Sequence, residues 1–237
     1  NSIEIRFGEC NKQLLEEVIF YGISLGADFV ELFIENTDNS NVLAEEDFIT
    51  SVSPSFGKGA GIRIFKDKRD GFVSTNDLSK HGLMRSVSQA IEMLDISQKN
   101  NTSKFNGLKK QKDYSKTKIN WLKEVPTINE VSEKLLLSTK SLKKDKKVLV
   151  RKGSYSRNWQ EVIIASSDGT YAADIRLHQT VGLNIIANDA QYRSNGSRRF
   201  GSHGMPNEFR LWDHENAANE VFESSMNMLY ADYVQAG

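Results

Sequence analysis

The chain has 237 residues, of which 38% are hydrophobic and 26% charged, and its formal net charge at pH 7 is zero. These values are typical of a folded globular protein and exclude a disordered or fibrous one, while no apolar run approaches the roughly 18 residues of a membrane-spanning helix. The single cysteine, Cys10, cannot form an internal disulfide, which favours a reducing compartment and predicts a cytoplasmic protein.

The charges are unevenly distributed along the chain. No lysine or arginine occurs between Gln13 and Gly57, whereas residues 104–118 hold six lysines and residues 140–152 hold seven basic residues. Such runs indicate either a patch for nucleic acid or an acidic partner, or solvated loops and helix ends. No nucleic-acid module and no alternation of aromatic and basic residues accompanies them, so we favour the second interpretation and predict no nucleic-acid partner.

The first elements in chain order are a helix and a strand. Apolar residues at helical spacing predict a helix over residues 11–25, which Asn11 can cap and Gly26 can end. Residues 28–35 alternate apolar and acidic side chains, as in a strand with one buried face. The polar stretch 36–41 predicts a turn that returns the chain into the next short strand.

A hairpin and a second helix follow. Residues 61–65 and 71–74 predict two strands closed through the polar turn 67–70. Leucine, valine and isoleucine at helical spacing predict a helix over residues 79–94. A helix, several strands and another helix in this order predict an α+β fold, in which a sheet carries helices on one face.

Residues 96–126 are rich in lysine, asparagine and serine and predict a long exposed linker. This linker separates an amino-terminal α+β sub-domain, residues 1–95, from a second part, residues 127–237. In the second part, Thr127 and Glu130 form the pattern Thr-x-x-Glu of a capping box, which predicts the start of a helix.

The second part continues as an antiparallel β-meander and a closing helix. The predicted strands cover residues 148–150, 161–165, 170–187 and 190–200. Residues 167–169 are predicted to form a tight turn between the second and third of these strands. The closing helix begins near Asp213, and its predicted apolar stripe contains Ala217, Val221, Met228 and Leu229.

The residue types that carry catalysis or bind metals do not form a recognisable site. The pair His-Glu at 214–215 opens a predicted helix, but a zinc helix needs a second ligand about one turn later, where Ala218 and Asn219 stand. The glycine-rich stretch 57–61 leads into a strand, not into the helix that a phosphate loop requires, so we interpret its glycines as hairpin or bulge residues. Cys10 has no basic or histidine neighbour in sequence. The sequence therefore predicts no catalytic residue and no metal ligand in this chain.

Two stretches carry more functional side chains than a scaffold requires. Residues 151–159 combine cations with aromatic residues, and residues 174–178 alternate polar and apolar side chains on a predicted strand. Exposed strands of this kind can take up an extended peptide by adding it to the sheet. The same pattern also fits polar strand faces held by cross-strand salt bridges. Both interpretations remain open, because the sequence does not show which strand lies at a sheet edge.

Several short motifs follow one another in a fixed order along nearly the whole chain. They occupy residues 26–32, 59–63, 71–74, 167–169, 198–201 and 230–237. This ordered set resembles the TldD/PmbA family, whose members were once called modulators of DNA gyrase, and it is closer to the TldD branch.

The resemblance implies a zinc metallopeptidase that degrades or trims unfolded or flexible peptides and works as a homodimer or as a heterodimer of related subunits. It also implies a metal helix, His-Glu-x-x-x-His, shortly after the segment similar to Ala236-Gly237, where this sequence ends. We therefore expect an amino-terminal part that contributes dimerisation and the substrate cleft, with no cofactor in this chain and zinc in the complete protein. The alternative is a stand-alone, non-catalytic binding or regulatory module that pairs with a full-length partner.

Contacts to the peptide are expected from polar side chains on or beside the predicted strands. The candidates are Tyr171, Arg176, His178 and Arg199. Each carries a hydrogen-bonding group that can reach the backbone of an extended peptide.

Overall fold

The computed structural model describes residues 10–95, 104–110 and 125–232. Its strands belong to one sheet, and most of them are long: β1 (Phe29–Glu45), β2 (Phe48–Lys66), β3 (Arg69–Thr75), β4 (Lys109–Lys110), β5 (Val148–Ser166), β6 (Thr170–Asp189) and β7 (Tyr192–His203). The strand order is β3-β2-β1-β5-β6-β4, and β7 also pairs with β6. The β2/β3 and β6/β7 pairs are antiparallel, whereas β4 runs parallel to β6.

Among the described residues the four longer helices begin where the sequence predicts them, whereas the short helix Glu208–Leu211 was not predicted. Within the described residues they are α1 (Lys12–Ser24), α2 (Lys80–Met93), α3 (Ile128–Ser141), α4 (Glu208–Leu211) and α5 (His214–Leu229). The side chains of Asn11, Ser79 and Asp213 each accept a hydrogen bond from a backbone N–H in the first turn that follows. The capping box is confirmed, because Thr127 and Glu130 bond reciprocally at the start of α3. In the part of the chain described, no helix combines the length and apolar character needed to span a bilayer.

The chain forms two compact units, and their segments alternate along the sequence. The first unit comprises Asn1–Thr37, Phe56–Lys116 and Gln160–Arg176, and the second comprises Asp38–Ser55, Thr117–Trp159 and Leu177–Gly237. Because the strands are long, β1, β2, β5 and β6 each contribute residues to both units.

In the first unit, α1 and α2 cover one face of the sheet, as predicted for an α+β fold. Alternate residues of β1, such as Val30 and Leu32, point into the same core as Ile62 and Ile64 of β2. This alternation follows from the pleat of a strand, which sends successive side chains to opposite faces. The apolar side chains of α1 and α2 complete that core, so burial of one sheet face holds the unit together.

The second unit has its own core, built from α3, α4, α5 and the strands beside them. Val42 of β1, Val181 and Leu183 of β6 and Val221 of α5 are all buried in it. In the closing helix the stripe is confirmed at Ala217, Val221 and Leu229, but Met228 is 59% exposed. The predicted stripe is wrong at this residue: the buried position in the last turn is Leu229, and Met228, the residue before it, points to solvent.

Strand β1 passes straight through the stretch predicted to be a turn. Residues 36–41 remain extended, and their polar side chains find partners on the neighbouring strand. Asn36 Nδ2 donates to Glu161 Oε2 at 2.8 Å, and Arg157 Nη2 donates to Asp38 Oδ1 at 2.7 Å. The predicted turn is wrong because these cross-strand bonds satisfy side chains that would otherwise favour a turn.

Strand β5 is likewise continuous where the sequence predicted two separate strands. The intervening residues 151–160 alternate between buried and more exposed positions. Tyr155 lies in the core, where its hydroxyl donates to Gln179 Oε1 at 2.9 Å. Burial raises the pKa of Tyr155 to about 12, so the phenol stays neutral and serves as a core hydrogen-bond donor.

The predicted β2/β3 hairpin is confirmed, with a shorter turn than expected. Lys66 pairs with Arg69, which leaves only Asp67 and Lys68 in the loop, and both have positive φ. Two left-handed residues are the geometry of a type I′ turn, whose twist matches that of the flanking strands.

Most of the predicted linker lies outside the described residues. Within it, residues 104–110 are described, and Leu108 is buried with its N–H donating to Glu16 Oε1 at 2.9 Å. Lys109 and Lys110 pair with Thr170 and Tyr171 as strand β4. This short segment is therefore fixed to the first unit.

Candidate functional site

The sheet of the second unit buries one face and leaves the other accessible. On β6, the odd-numbered residues from Leu177 to Ala187 are buried, while the even-numbered residues from His178 to Asn188 are half-buried or exposed. Because side chains alternate along a strand, the even-numbered set lies on the face opposite the core. We refer to this side of the second unit as the open face.

A groove of about 650 Å³ lies in the second unit and draws residues from β1, β2, β5, β6 and β7. The side chains and glycine that characterise it are Glu45, Lys152, Ser154, Gly182, Asn184 and Arg199. A concave site with several polar groups and a glycine floor is a suitable place for a ligand.

Gly182 keeps the centre of the groove open. A Cβ atom added at this position would stand 2.9 Å from Ser154 Oγ and 3.9 Å from Arg199 Nε. Any larger residue would therefore fill the space between these two polar groups. The glycine is required here for space, since its backbone does not have positive φ.

Some polar side chains around the groove already have hydrogen-bond or ion-pair partners, and one of the described side chains does not. Lys152 Nζ lies 3.1 Å from Glu45 Oε2, and Asn184 Nδ2 donates to the side chain of Asn195 and to the Gly196 carbonyl. Arg199 is exposed and makes no ion pair or side-chain hydrogen bond within the described ranges. Its guanidinium therefore keeps its five N–H donors for a ligand.

Three of the four residues predicted to contact a peptide lie on accessible strand positions. Arg199 lines the groove, and His178 lies on the open face directly opposite His203 of β7. Arg176, in the first unit, is half-buried and donates to Asp174 Oδ2 at 3.0 Å and Gln160 Oε1 at 3.2 Å. These bonds are of the kind that the alternative interpretation of the strand, as a salt-bridged polar face, expects.

Tyr171 occupies a different environment. It is 1% exposed and belongs to the core of the first unit, on an odd-numbered position of β6. A side chain enclosed in this way packs against its neighbours and does not reach a peptide on the accessible side.

Sequence patterns alone do not single out Gly182, Ser154, Lys152 or Asn184. A signal for two of them was available, because Gly182 and Asn184 have the same parity on β6 as His178 and must share its face. Lys152 and Ser154 lie in the stretch 151–159, which combines cations with aromatic residues. Their convergence on one groove depends on pairing between distant strands, which the sequence does not encode locally.

In the described residues, the side chains of the types that ligate metals are dispersed. Within residues 10–95, 104–110 and 125–232, no three His, Cys, Asp or Glu side chains are arranged to hold a metal ion. His214 is the first residue of α5, directly after the cap Asp213, and no ligand follows it at one-turn spacing. Burial raises the pKa of Cys10 to about 11, so its thiol is neutral and a poor ligand or nucleophile.

The glycine-rich stretch 57–61 lies within strand β2, so it leads into more strand and not into a helix N-terminus. Cβ atoms added at Gly57, Gly59 and Gly61 would stand 2.8 Å from Thr37 Oγ1, 3.0 Å from the Thr75 carbonyl oxygen and 3.0 Å from the Phe72 ring. These glycines allow neighbouring strands and side chains to approach closely.

Comparison with known protein families identifies two matching regions. Residues 30–94 match the model of PmbA/TldA metallopeptidase domain 1, and residues 116–229 match that of the PmbA/TldA metallopeptidase central domain. Over 186 residues the chain is 24% identical to the metalloprotease TldD homolog of Haemophilus influenzae, which covers 78% of this chain and 37% of that protein.

Solved structures share the fold at lower sequence identity. A protein named as a modulator of a DNA gyrase from Thermotoga maritima superposes with a TM-score of 0.74 at 14% identity, over 95% of this chain and 50% of that one. TldE from Thermococcus kodakarensis superposes with a TM-score of 0.68 at 20% identity, over 88% of this chain and 47% of that one. The chain thus spans about half the length of these structural relatives, and 37% of the relative from Haemophilus influenzae.

Proposed function

Because the chain belongs to the PmbA/TldD family of metallopeptidases, we propose that it forms part of a zinc-dependent peptidase that acts on unfolded or flexible peptides. Its part is to provide the cleft that holds the peptide and a surface for dimerisation. The observation that carries this proposal is the polar groove of the second unit, where the guanidinium of Arg199, beside Gly182, has no ion pair or side-chain hydrogen bond to any described residue.

An extended peptide fits the chemistry of this groove. Peptide carbonyls and a terminal carboxylate accept hydrogen bonds, and Arg199 and Ser154 offer donors to them. Among the described strands, β7 pairs only with β6, so its other edge has the unpaired backbone groups that can receive an added strand. Backbone bonding of this kind suits a peptidase that accepts many sequences.

The proposal places the metal-binding motif of the complete protein outside this chain. The described side chains do not fit a catalytic zinc, which takes three protein ligands and keeps one open position. The proposal therefore gives Arg199, His178 and Arg176 roles in binding and positioning the peptide and assigns them no step of bond cleavage.

The complete protein is proposed to work as a homodimer or as a heterodimer with a related subunit. Exposed aromatic side chains in the first unit support a protein partner, since Phe56 is 74% and Phe72 is 53% exposed. Aromatic residues of this size are enriched in the buried centres of protein interfaces.

Steady-state kinetics of the complete enzyme tests the role of the groove. We expect Arg199→Ala to raise KM for a flexible peptide on the order of tenfold, with kcat little changed, because it removes charge-assisted hydrogen bonds made equally in ground and transition state. The matched control is Arg193→Ala, an exposed arginine on the same strand that does not line the groove.

Gly182→Val tests whether the open space above Gly182 is needed for peptide binding. Its side chain would enter the region between Ser154 and Arg199, so KM should rise for the same peptide. If KM stays at the wild-type value in both Arg199→Ala and Gly182→Val, the groove does not bind substrate. Alanine variants of Arg176 and His178 test separately the two proposed peptide contacts that lie outside the groove.

A further inference from the structure

A pair of histidines stands apart from the groove residues in its geometry. His178 of β6 and His203 of β7 are directly opposite each other in the antiparallel register, and both side chains are exposed on the open face. Their ring centroids are 4.4 Å apart, and the two Nδ1 atoms face each other at 3.3 Å.

This separation matches the spacing of two ligands on one metal ion. A zinc–nitrogen bond of about 2.0–2.1 Å and a tetrahedral angle place two ligating nitrogens about 3.3–3.4 Å apart. We propose that His178 and His203 together bind a divalent transition-metal ion of the zinc type through their Nδ1 atoms.

The same separation also fits a weak hydrogen bond between the rings, in which one Nδ1 donates and the other accepts. The 3.3 Å distance is longer than the usual optimum of about 2.9–3.0 Å for an N–H donor, and it equals the separation of two nitrogens on one ion. The exposed position of both rings also lets an ion enter from solvent without rearrangement of the core.

The ligand chemistry defines which ions the pair can take. Imidazole nitrogens suit zinc, copper and nickel, whereas magnesium and calcium prefer oxygen ligands. No third His, Cys, Asp or Glu joins the pair among the residues described, so water completes the coordination and the ion exchanges readily. The site requires only these two side chains and does not depend on the proposed peptidase function.

Zinc titration of the 237-residue chain tests the pair directly. Isothermal titration calorimetry with zinc chloride at pH 7.5 should give one equivalent bound to the wild type. His178→Gln and His203→Gln should each weaken binding on the order of tenfold or more, because each removes one of two protein ligands. His81→Gln, which replaces an exposed histidine of α2, should bind zinc as the wild type does.

A structural control makes the result decisive. Circular dichroism should show the same fold for all variants, since both rings are exposed. The proposal is overturned if the wild type takes up no zinc, or if zinc affinity is unchanged in His178→Gln and His203→Gln. Neither outcome affects the groove kinetics, which report peptide binding separately.

Discussion

Two neighbouring basic residues of β5, Arg151 and Lys152, have different roles, one in the interior and one at the surface. Arg151 is buried, with its side chain 3% exposed. Its Nε and Nη2 both donate to Glu46 Oε2, and its Nη1 donates to the carbonyls of Thr139 and Leu142. A buried guanidinium is tolerated because these acceptors replace the lost water. Lys152, the next residue, points the opposite way and lines the groove. The alternation of the strand therefore separates a structural cation from a surface one.

Asp168 gives a pH-dependent prediction for one turn. Hydrogen bonds from the Ser166 hydroxyl and the Thr170 backbone N–H lower the pKa of its carboxyl group. A lowered folded-state pKa contributes stability that is fully present above the unfolded pKa, about 3.9, and is lost as the pH falls through the folded-state value. We expect Asp168→Asn to reduce the free energy of unfolding on the order of 1 kcal/mol at pH 7.

Urea unfolding of the wild type and Asp168→Asn at several pH values measures this effect. The difference between the two proteins should shrink as the pH is lowered from 7 to about 3, because the wild-type carboxylate becomes protonated. A difference that stays constant, or grows, over this range would show that the charge of Asp168 does not stabilise the turn.

At the scale of elements, the contact between α5 and β7 depends on a glycine. A Cβ atom at Gly196 would stand 2.3 Å from the Val221 carbonyl oxygen and 2.8 Å from Ser225 Cβ. The helix therefore rests directly on the strand backbone at this point. Ser194 reinforces the contact, because its hydroxyl donates to the Ser225 carbonyl at 2.8 Å.

Gly196→Ala should destabilise the protein by about 1–3 kcal/mol, since the helix must move away from the strand to admit the methyl group. Gly201→Ala is the matched control on the same strand, where the nearest atom would be an ordinary 3.6 Å away. Thermal or urea unfolding of the wild type and both variants gives the unfolding midpoints to compare. Equal midpoints would mean that α5 adapts to the added methyl group without cost.

At the scale of the whole molecule, the uneven charges along the sequence are largely balanced within the second unit. The acidic residues of the β1/β2 turn pair with the basic run 140–152: Glu45 with Lys152, Glu46 with Arg151, and Asp47 with Lys144. Lys147 also pairs with Asp189. Four of the seven basic residues of this run are thereby engaged with carboxylates.

The absence of a nucleic-acid partner stays a prediction. Affinity for DNA comes largely from cations that neutralise phosphates and release their counterions, and four of the seven cations in the run 140–152 already have carboxylate partners. Fluorescence anisotropy of a labelled duplex at low salt should therefore show no binding by the chain. An affinity that is strong at low salt and falls steeply as salt is added would contradict the prediction.

The features that the sequence predicted correctly are those decided by neighbouring residues. Asn11 and Thr127 cap helices through bonds to backbone groups three residues away, and the β2/β3 hairpin closes through two adjacent residues, Asp67 and Lys68. Such bonds form within one turn of the chain, so residue type and spacing are enough to indicate them. The α+β class follows from the same local patterns.

The tertiary structure alone decided which polar residues meet. Residues 36–41 remain extended because side chains on β5 satisfy them. Tyr171 is buried, whereas Arg199 lines the groove without an ion pair or side-chain hydrogen bond to the described residues. The pairing of His178 with His203 depends on the register of two strands. Register is set by burial of one whole face of the sheet, and no short stretch of sequence contains that information.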